Sequence, residues 1–245
     1  MDETKFITPN WPAPKNVKAF SSTRCGGFSR GPYASLNVGQ HVGDDINLVY
    51  ANRDLLPHTQ DIVWLSQIHS TTCVELISTR KQNMTADAGY TAIPGIVCAV
   101  MSADCLPILL CNRSGSLVAA VHAGWKGLAA GIVENIVQKL ACEKNEILAW
   151  LGPAISQAHF EVGNNVRTAL IDYPAAFIRN KQSDQYRVDL YQIARDKLAA
   201  VGVHDIYGGD HCTYSENNLF FSHRRSTHQG LIHTGRMVSA IYLHP

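Results

Sequence analysis

Three side chains, His69, Cys105 and His122, each stand in a short context suited to holding one metal ion. Cys105 lies in MSADCLPILLC, where an Asp-Cys pair opens an apolar run. His122 ends the strand-like LVAAVH and is followed at once by AGWKG, a glycine-flanked turn into a helix, while His69 closes another strand-like run, IVWLSQIH. The three are too far apart in sequence for a zinc-finger knuckle. Two imidazoles and one thiolate suit Zn²⁺, with Cu²⁺ as a competitor, and three protein ligands leave a fourth position for water or substrate, the usual arrangement of a catalytic zinc. The plain alternative is a small buried thiol and two satisfied histidines at strand ends.

Other polar residues cluster around these three in sequence. Asp104 is the carboxylate nearest to a ligand, either orienting a ligand histidine or carrying a proton as a catalytic group beside Cys105. In an extended segment, neighbours 104 and 105 point to opposite faces, so the orienting role would need a turn. Asn37 and His41, in the glycine-bearing loop SLNVGQHVGDD, are candidate substrate contacts, with a solvated turn as the alternative. Lys126 in GWKG and Arg236 in TGRM are further cations that could hold charge near a site.

Several stretches, in order along the chain, resemble the YfiH family, also called the laccase-domain or polyphenol oxidase family. They are SSTRCGG at Ser21 to Gly27, YASLNVGQHVGDD at Tyr33 to Asp45, WLSQIHS around His69, ADAGYT at Ala86 to Thr91 and VMSADCLPILLCN around Cys105. The series continues with AAVHAGWKGLAAGIVE around His122, AWLGPAISQAHFEVG at Ala149 to Gly163, GGDHCTYSENNLFFSHRR at Gly208 to Arg225 and TGRM at Thr234 to Met237. The resemblance implies that His69, Cys105 and His122 are metal ligands. It also implies phosphorolysis of purine nucleosides (adenosine, inosine, methylthioadenosine) and deamination of adenosine, with a compact α/β fold of packed β-sheets covered by helices.

Deamination follows from such a site, because a metal-bound water ionises near neutral pH and can attack C6 of the purine. Phosphorolysis needs a phosphate held beneath the ribose C1′ and a proton for the departing base. Arg24 in SSTRCGG is the candidate phosphate holder, since a guanidinium grips phosphate in a bidentate fork. One segment departs from the family pattern: between HRR and TGR the chain carries STHQGLIH, which reads as a surface loop in which His228 and His233 are the residues able to touch a substrate.

Other chemistries compete. A hydrolase using Cys105 as thiolate nucleophile and His122 as base, acting on a cell-wall precursor, is one alternative, and a zinc-stabilised module without catalysis is another. Copper-dependent phenol oxidation is the third, although the histidines form none of the H-x-H pairs of a multicopper site. The H-x-E…P-C-x-x-C deaminase signature, the Rossmann and Walker glycine loops and the G-x-S-x-G elbow do not occur.

The elements that must position these residues read as a mixed α/β (α+β) pattern. Strands are expected at Val17 to Ser22, Ile62 to Leu65, Cys73 to Ile77, Ile96 to Met101, Ile108 to Cys111, Leu117 to Val121, Ile147 to Leu151, His204 to Tyr207 and Val238 to Leu243. The clearest helix is expected over Gly127 to Leu140, where Leu128, Ile132, Ile136 and Leu140 recur every fourth residue. Asp45 is the expected N-cap of a helix reaching Leu55, and a third helix spans Leu190 to Ala200. The strand ending at Val121 and the helix after HAGWKG together place His122 near a helix N-terminus.

With 245 residues, no linker composition and no internal repeat, the chain reads as a single domain over 1–245. It has no apolar run of membrane-spanning length and no signal-like N-terminus, and its odd, scattered set of seven cysteines does not suggest a disulfide framework, so a cytoplasmic protein is expected. A formal net charge of +1 offers no stripe for a nucleic-acid backbone, which leaves small molecules, a nucleoside and phosphate, as the expected partners.

Overall fold

Alternation along the strand Leu106–Asn112 shows how the sequence sorts side chains into layers. In the computed structural model, which describes residues 5–79, 84–180 and 183–244, Leu106, Ile108 and Leu110 join one buried cluster while Leu109 and Cys111 join another. Successive residues of a strand face opposite sides, so one apolar run serves two cores.

Leu106–Asn112 belongs to a six-stranded sheet ordered Asp205–Gly208, Ile147–Leu151, Leu106–Asn112, Val118–Ala123, Ala88–Thr91 and Cys73–Glu75. Its two edge pairings are parallel and the rest antiparallel. A five-stranded sheet is ordered Phe6–Ile7, Val17–Ser22, Met237–Leu243, Val97–Ser102 and Ile62–Val63, antiparallel except for the last pair. Cys98, Val100, Ile241 and Leu243 of this sheet share a cluster with Leu109, Cys111, Val118 and Ala120 of the other, so the two sheets pack face to face.

The outer face of the six-stranded sheet is covered by the helices Ile132–Lys139 and Leu190–Ala200, which add Ile132, Ile136, Ile193 and Leu198 to the cluster holding Leu106 and Ile108. Lys197 and Glu134 tie these helices together at 2.7 Å. Outside the five-stranded sheet, Val38 and Leu56 cover Phe20, Ala99 and Ala240. A small three-stranded sheet, Glu161–Val162, Tyr186–Val188 and Phe177–Arg179, pairs with neither, but its Val162 and Val188 join the cluster holding Leu106 and Ile108.

Most expected strands are present with ends shifted by one or two residues. Phe6–Ile7, Ala88–Thr91 and the three-stranded sheet were not expected, since runs of two to four residues carry too little pattern. The helix expected over Gly127 to Leu140 is two helices, Trp125–Ala130 and Ile132–Lys139. Gly131 divides them at φ 96°, donating its N–H to the carbonyls of Gly127 and Leu128 as a left-handed cap. The four-residue apolar stripe survives the break, with Leu128, Ile132, Ile136 and Leu140 all buried. Asp45 accepts the Asn47 N–H and caps Ile46–Arg53, which ends before Leu55, and Asp189 caps Leu190–Ala200 by accepting from Gln192. Among the described residues, no helix is long and apolar enough to cross a membrane.

The chain passes from the five-stranded to the six-stranded sheet between Val63 and Cys73, and again between Ser102 and Leu106. Leu106 pairs with Ala123, so the end of Val118–Ala123 meets the second crossing. His69 and Cys105 lie on the crossings and His122 near that strand end, so the packing of the sheets gathers all three.

Candidate metal centre

The donor atoms of His69, Cys105 and His122 lie within 4.8 Å of one another. Cys105 Sγ is 3.8 Å from His69 Nε2, and the two imidazole rings are 4.8 Å apart, edge to face. Gly124 makes room for this: a Cβ there would stand 2.9 Å from Cys105 Sγ and 3.2 Å from His69 Cδ2.

Asp87, fully buried at the start of Ala88–Thr91, organises the group. Its carboxylate accepts the backbone N–H groups of Ile68 (3.3 Å), His69 (3.0 Å) and Ser70 (2.6 Å) and the Ser70 hydroxyl (2.7 Å), wrapping the loop that carries His69 around itself. His69 accordingly takes the left-handed conformation, φ 61°, which a non-glycine residue adopts at a cost that surrounding bonds must offset. Asp87 Oδ1 also accepts from His122 Nδ1 at 2.9 Å, and that bond leaves His122 Nε2 as the nitrogen able to bind a metal.

Burial alone would raise the Asp87 carboxyl, yet the bonds from His122 and Ser70 hold it down at about 2. Burial would likewise raise the Cys105 thiol, but the His122 and His69 imidazoles outweigh it and bring the thiol to about 6. The Cys98 and Cys111 thiols, buried between the sheets, are pushed up instead, Cys111 to about 12. A readily ionised thiolate with two imidazoles, one oriented by a carboxylate, is a donor set that fits a bound divalent metal.

Two cavities adjoin this group. The first, about 230 Å³, is lined by His41, Gln67, Ser102 and Arg236 with His69, Cys105, His122 and His223. The second, about 280 Å³, is lined by Trp125, Phe160, Ile155, Leu190, Lys126 and Arg224 with His69, Cys105, Asp104 and His223. The first holds Arg236 and His41, and the second has Trp125 and Phe160 in its wall together with Lys126 and Arg224.

Asp104 borders the second cavity at φ 90°, but its carboxylate accepts from the Thr213 hydroxyl at 2.6 Å and from the Arg224 backbone N–H at 2.7 Å. The carboxylate that orients a ligand histidine is therefore Asp87. His41 lines the first cavity, where burial and then the Arg236 and Arg53 charges lower its pKa. Asn37 does not line it. Fully buried, Asn37 accepts the backbone N–H groups of Gly39 and Arg236, both at 2.9 Å, and donates to Asp44, so it positions Arg236.

Arg24 lines neither cavity. Its Nε donates to the Ala34 carbonyl and a terminal nitrogen to the Asn217 carbonyl, and the guanidinium lies 4.8 Å from the Phe221 ring centroid. The cation in the first cavity is Arg236. STHQGLIH begins inside the helix His223–His228, and only its later residues form the expected exposed turn; His228 bonds the Tyr214 hydroxyl and His233 lies against Tyr33. Sequence reasoning missed Asp87, Gln67 and His223, although ADAGYT contains the first and FSHRR the last.

The model of the family described as multi-copper polyphenol oxidoreductase laccase matches residues 18–244. Purine nucleoside phosphorylase YfiH of Shigella flexneri is 50% identical, covering 98% of this chain and 99% of that protein. This chain belongs to the YfiH, or laccase-domain, family. Another YfiH-family relative, purine nucleoside phosphorylase PA4543 of Pseudomonas aeruginosa, is 44% identical over 97% of this chain and 98% of its own. The YfiH-family fold is equally close to solved structures. NMB0706 of Neisseria meningitidis superposes with a TM-score of 0.92 at 43% identity, covering 99% of this chain and all of that one. YlmD of Geobacillus stearothermophilus superposes at 0.90 with 30% identity, covering 100% and 98%. The mixed α/β architecture expected from the motifs is the one these structures share.

Proposed function

We propose that this YfiH-family protein is a zinc-dependent purine nucleoside phosphorylase that also deaminates adenosine. The observation that carries the reading is a thiolate-imidazole group set between a cavity that holds Arg236 and His41 and one walled by Trp125 and Phe160. A nucleoside phosphorylase must hold an anion and a flat base on either side of one ribose carbon, and relatives named purine nucleoside phosphorylase support that assignment.

Phosphate binds in the first cavity against Arg236 and His41. The Arg236 guanidinium is held in place from one side, because Nη1 donates to the Thr234 and Gly235 carbonyls and the backbone N–H donates to Asn37, leaving other guanidinium N–H groups for an anion. The purine lies in the second cavity, against Trp125 and Phe160, with Ile155 and Leu190 excluding water. Zinc is held by His69, Cys105 and His122, with Asp87 fixing the His122 ring, and when bound it supplies the Lewis acidity that deamination uses.

The test is to incubate the purified protein with adenosine, with and without phosphate, and separate adenine, inosine and hypoxanthine. Adenine formed only with phosphate, alongside inosine formed without it, is the expected result. No phosphate-dependent base release from adenosine or inosine would overturn the reading.

A second reading has its own observation. Cys105, His122 and Asp87 form a chain of thiolate, imidazole and orienting carboxylate, the arrangement of a cysteine hydrolase. Zinc would mask that thiolate, so stoichiometric zinc in active protein purified without added metal favours the phosphorylase. Activity that rises on chelation favours the hydrolase.

A further inference from the structure

We propose that His223 is the general acid that protonates the departing purine. The inference rests on the phosphorylase reading above and adds the proton that reading lacks. His223 borders both cavities, together with the ligands His69 and Cys105, so its imidazole stands where a base lying against Trp125 and a phosphate held by Arg236 would adjoin.

Apart from Lys126, the other charged groups bordering the second cavity are engaged or unsuited. Both oxygens of Asp104 already accept hydrogen bonds, one from Thr213 and one from Arg224. The Arg224 guanidinium donates to the Glu161 carbonyl, lies 5.3 Å from the Phe160 ring centroid, and as a guanidinium does not surrender a proton. His69 belongs to the ligand group. Lys126, exposed like His223 and with its ammonium 5.8 Å from the Trp125 ring centroid, is the one competing donor among these groups. The His223 ring makes no hydrogen bond to the described residues, while its backbone is fixed on both sides. Ser222 Oγ accepts the Arg225 N–H at 3.1 Å, Asp104 accepts the Arg224 N–H at 2.7 Å, and Thr227 Oγ1 donates to the His223 carbonyl at 2.9 Å. A rigid main chain thus delivers an unengaged imidazole to the junction, the arrangement a proton carrier needs.

In the reaction, a phosphate oxygen forms a bond to C1′ as the C1′–N9 bond breaks and its electron pair goes to the purine. The imidazolium N–H proton of His223 passes to N7. The hydroxyl proton of the bound hydrogen phosphate, released as the ester forms, returns the imidazole to its starting state.

The test compares inosine with a substrate whose base leaves without that proton. Inosine must be protonated as its base leaves, whereas 7-methylinosine, already quaternised at N7, releases a neutral base without a proton. In His223→Gln, phosphorolysis of inosine should fall about 10²- to 10⁴-fold, the usual contribution of a positioned acid, while that of 7-methylinosine should hold at the wild-type rate. Zinc content and the circular dichroism spectrum should be those of wild type, and added imidazole should restore inosine phosphorolysis to His223→Ala. Equal losses on both substrates would make His223 a positioning residue and overturn the proposal. So would an unchanged rate on inosine, or the same substrate split in Lys126→Met and not in His223→Gln. A wild-type protein that phosphorolyses neither nucleoside would instead overturn the phosphorylase reading on which the proposal stands.

Discussion

The carboxylate of Asp104 accepts the backbone N–H of Arg224 at 2.7 Å, joining two positions 120 residues apart in sequence. One partner adjoins Cys105 and the other adjoins His223, so this bond helps tie the segment carrying the thiol to the one carrying the imidazole. Asp104→Ala removes this bond and the one to Thr213, and should cost about 1 to 3 kcal/mol per donor left unsatisfied. Urea denaturation should show that loss, and steady-state phosphorolysis should fall with it, while metal content measured by plasma mass spectrometry stays stoichiometric.

Asp87 holds both the His122 ring and the loop bearing His69, so on the proposed zinc site it would act through each of them. Asp87→Asn should lower zinc affinity about 10- to 100-fold, as is usual when the partner of a ligand histidine is replaced. Competition with a chromogenic chelator measures this. An affinity equal to wild type would mean that the carboxylate serves the loop alone.

Replacing Cys105 by Ala should abolish stoichiometric zinc and leave the far-ultraviolet circular dichroism unchanged, because the core between and outside the sheets does not depend on the thiol. In wild-type protein stripped of metal, iodoacetamide should label Cys105 far faster than Cys98 or Cys111, and zinc should protect it. Peptide mass spectrometry reads both outcomes.

The two arginines should separate cleanly. Arg236→Ala should raise the KM for phosphate about 10- to 150-fold through loss of a charge-assisted contact of about 1.5 to 3 kcal/mol. Arg24→Ala should leave that KM alone and lower stability instead, since the guanidinium is committed to the carbonyls of Ala34 and Asn217. The reverse pattern would return phosphate binding to Arg24.

Lys197 gives a pH dependence remote from the site. Burial alone would lower its pKa, but the Glu134 carboxylate at 2.7 Å and the Tyr173 hydroxyl raise it above 10.5. The native state therefore binds this proton more tightly than the unfolded chain, and the pair's contribution is full below pH 10.5 and lost as pH rises through the native value. Glu134→Gln should destabilise by about 1 to 3 kcal/mol at neutral pH, and the gap to wild type should close in strongly alkaline buffer. Chemical denaturation across pH 7 to about 11.5 follows this directly.

The grouping of His69, Cys105 and His122 was legible because each borders an apolar run: His69 follows Ile62–Val63 on a loop, Cys105 stands just before Leu106–Asn112, and His122 lies at the end of Val118–Ala123. Asp87 was not, because ADAGYT is too short to show a period and its partners arrive from residues 68–70 and 122 only after folding. Arg24 marks a different limit. A guanidinium suits phosphate and backbone carbonyls alike, and carbonyls leave no mark in sequence: the one from Asn217 comes from 193 residues away. The break at Gly131 was hidden by a stripe that continues across it. The second cavity was hidden because Trp125, Phe160, Leu190 and His223 come from four separate segments.

The strand Met237–Leu243 sits in the middle of the five-stranded sheet, between Val17–Ser22 and Val97–Ser102, and its Ser239 hydroxyl meets that of Ser21 across 218 residues of chain. Until that strand inserts, its two neighbours have no common partner, and such long-range pairing carries a large loop-closure cost and forms slowly. Arg236 immediately precedes the same strand. A refolding chain should accordingly regain helix signal early and bring Arg236 to the first cavity only in the slowest step, so the return of activity reports the closure of the sheet.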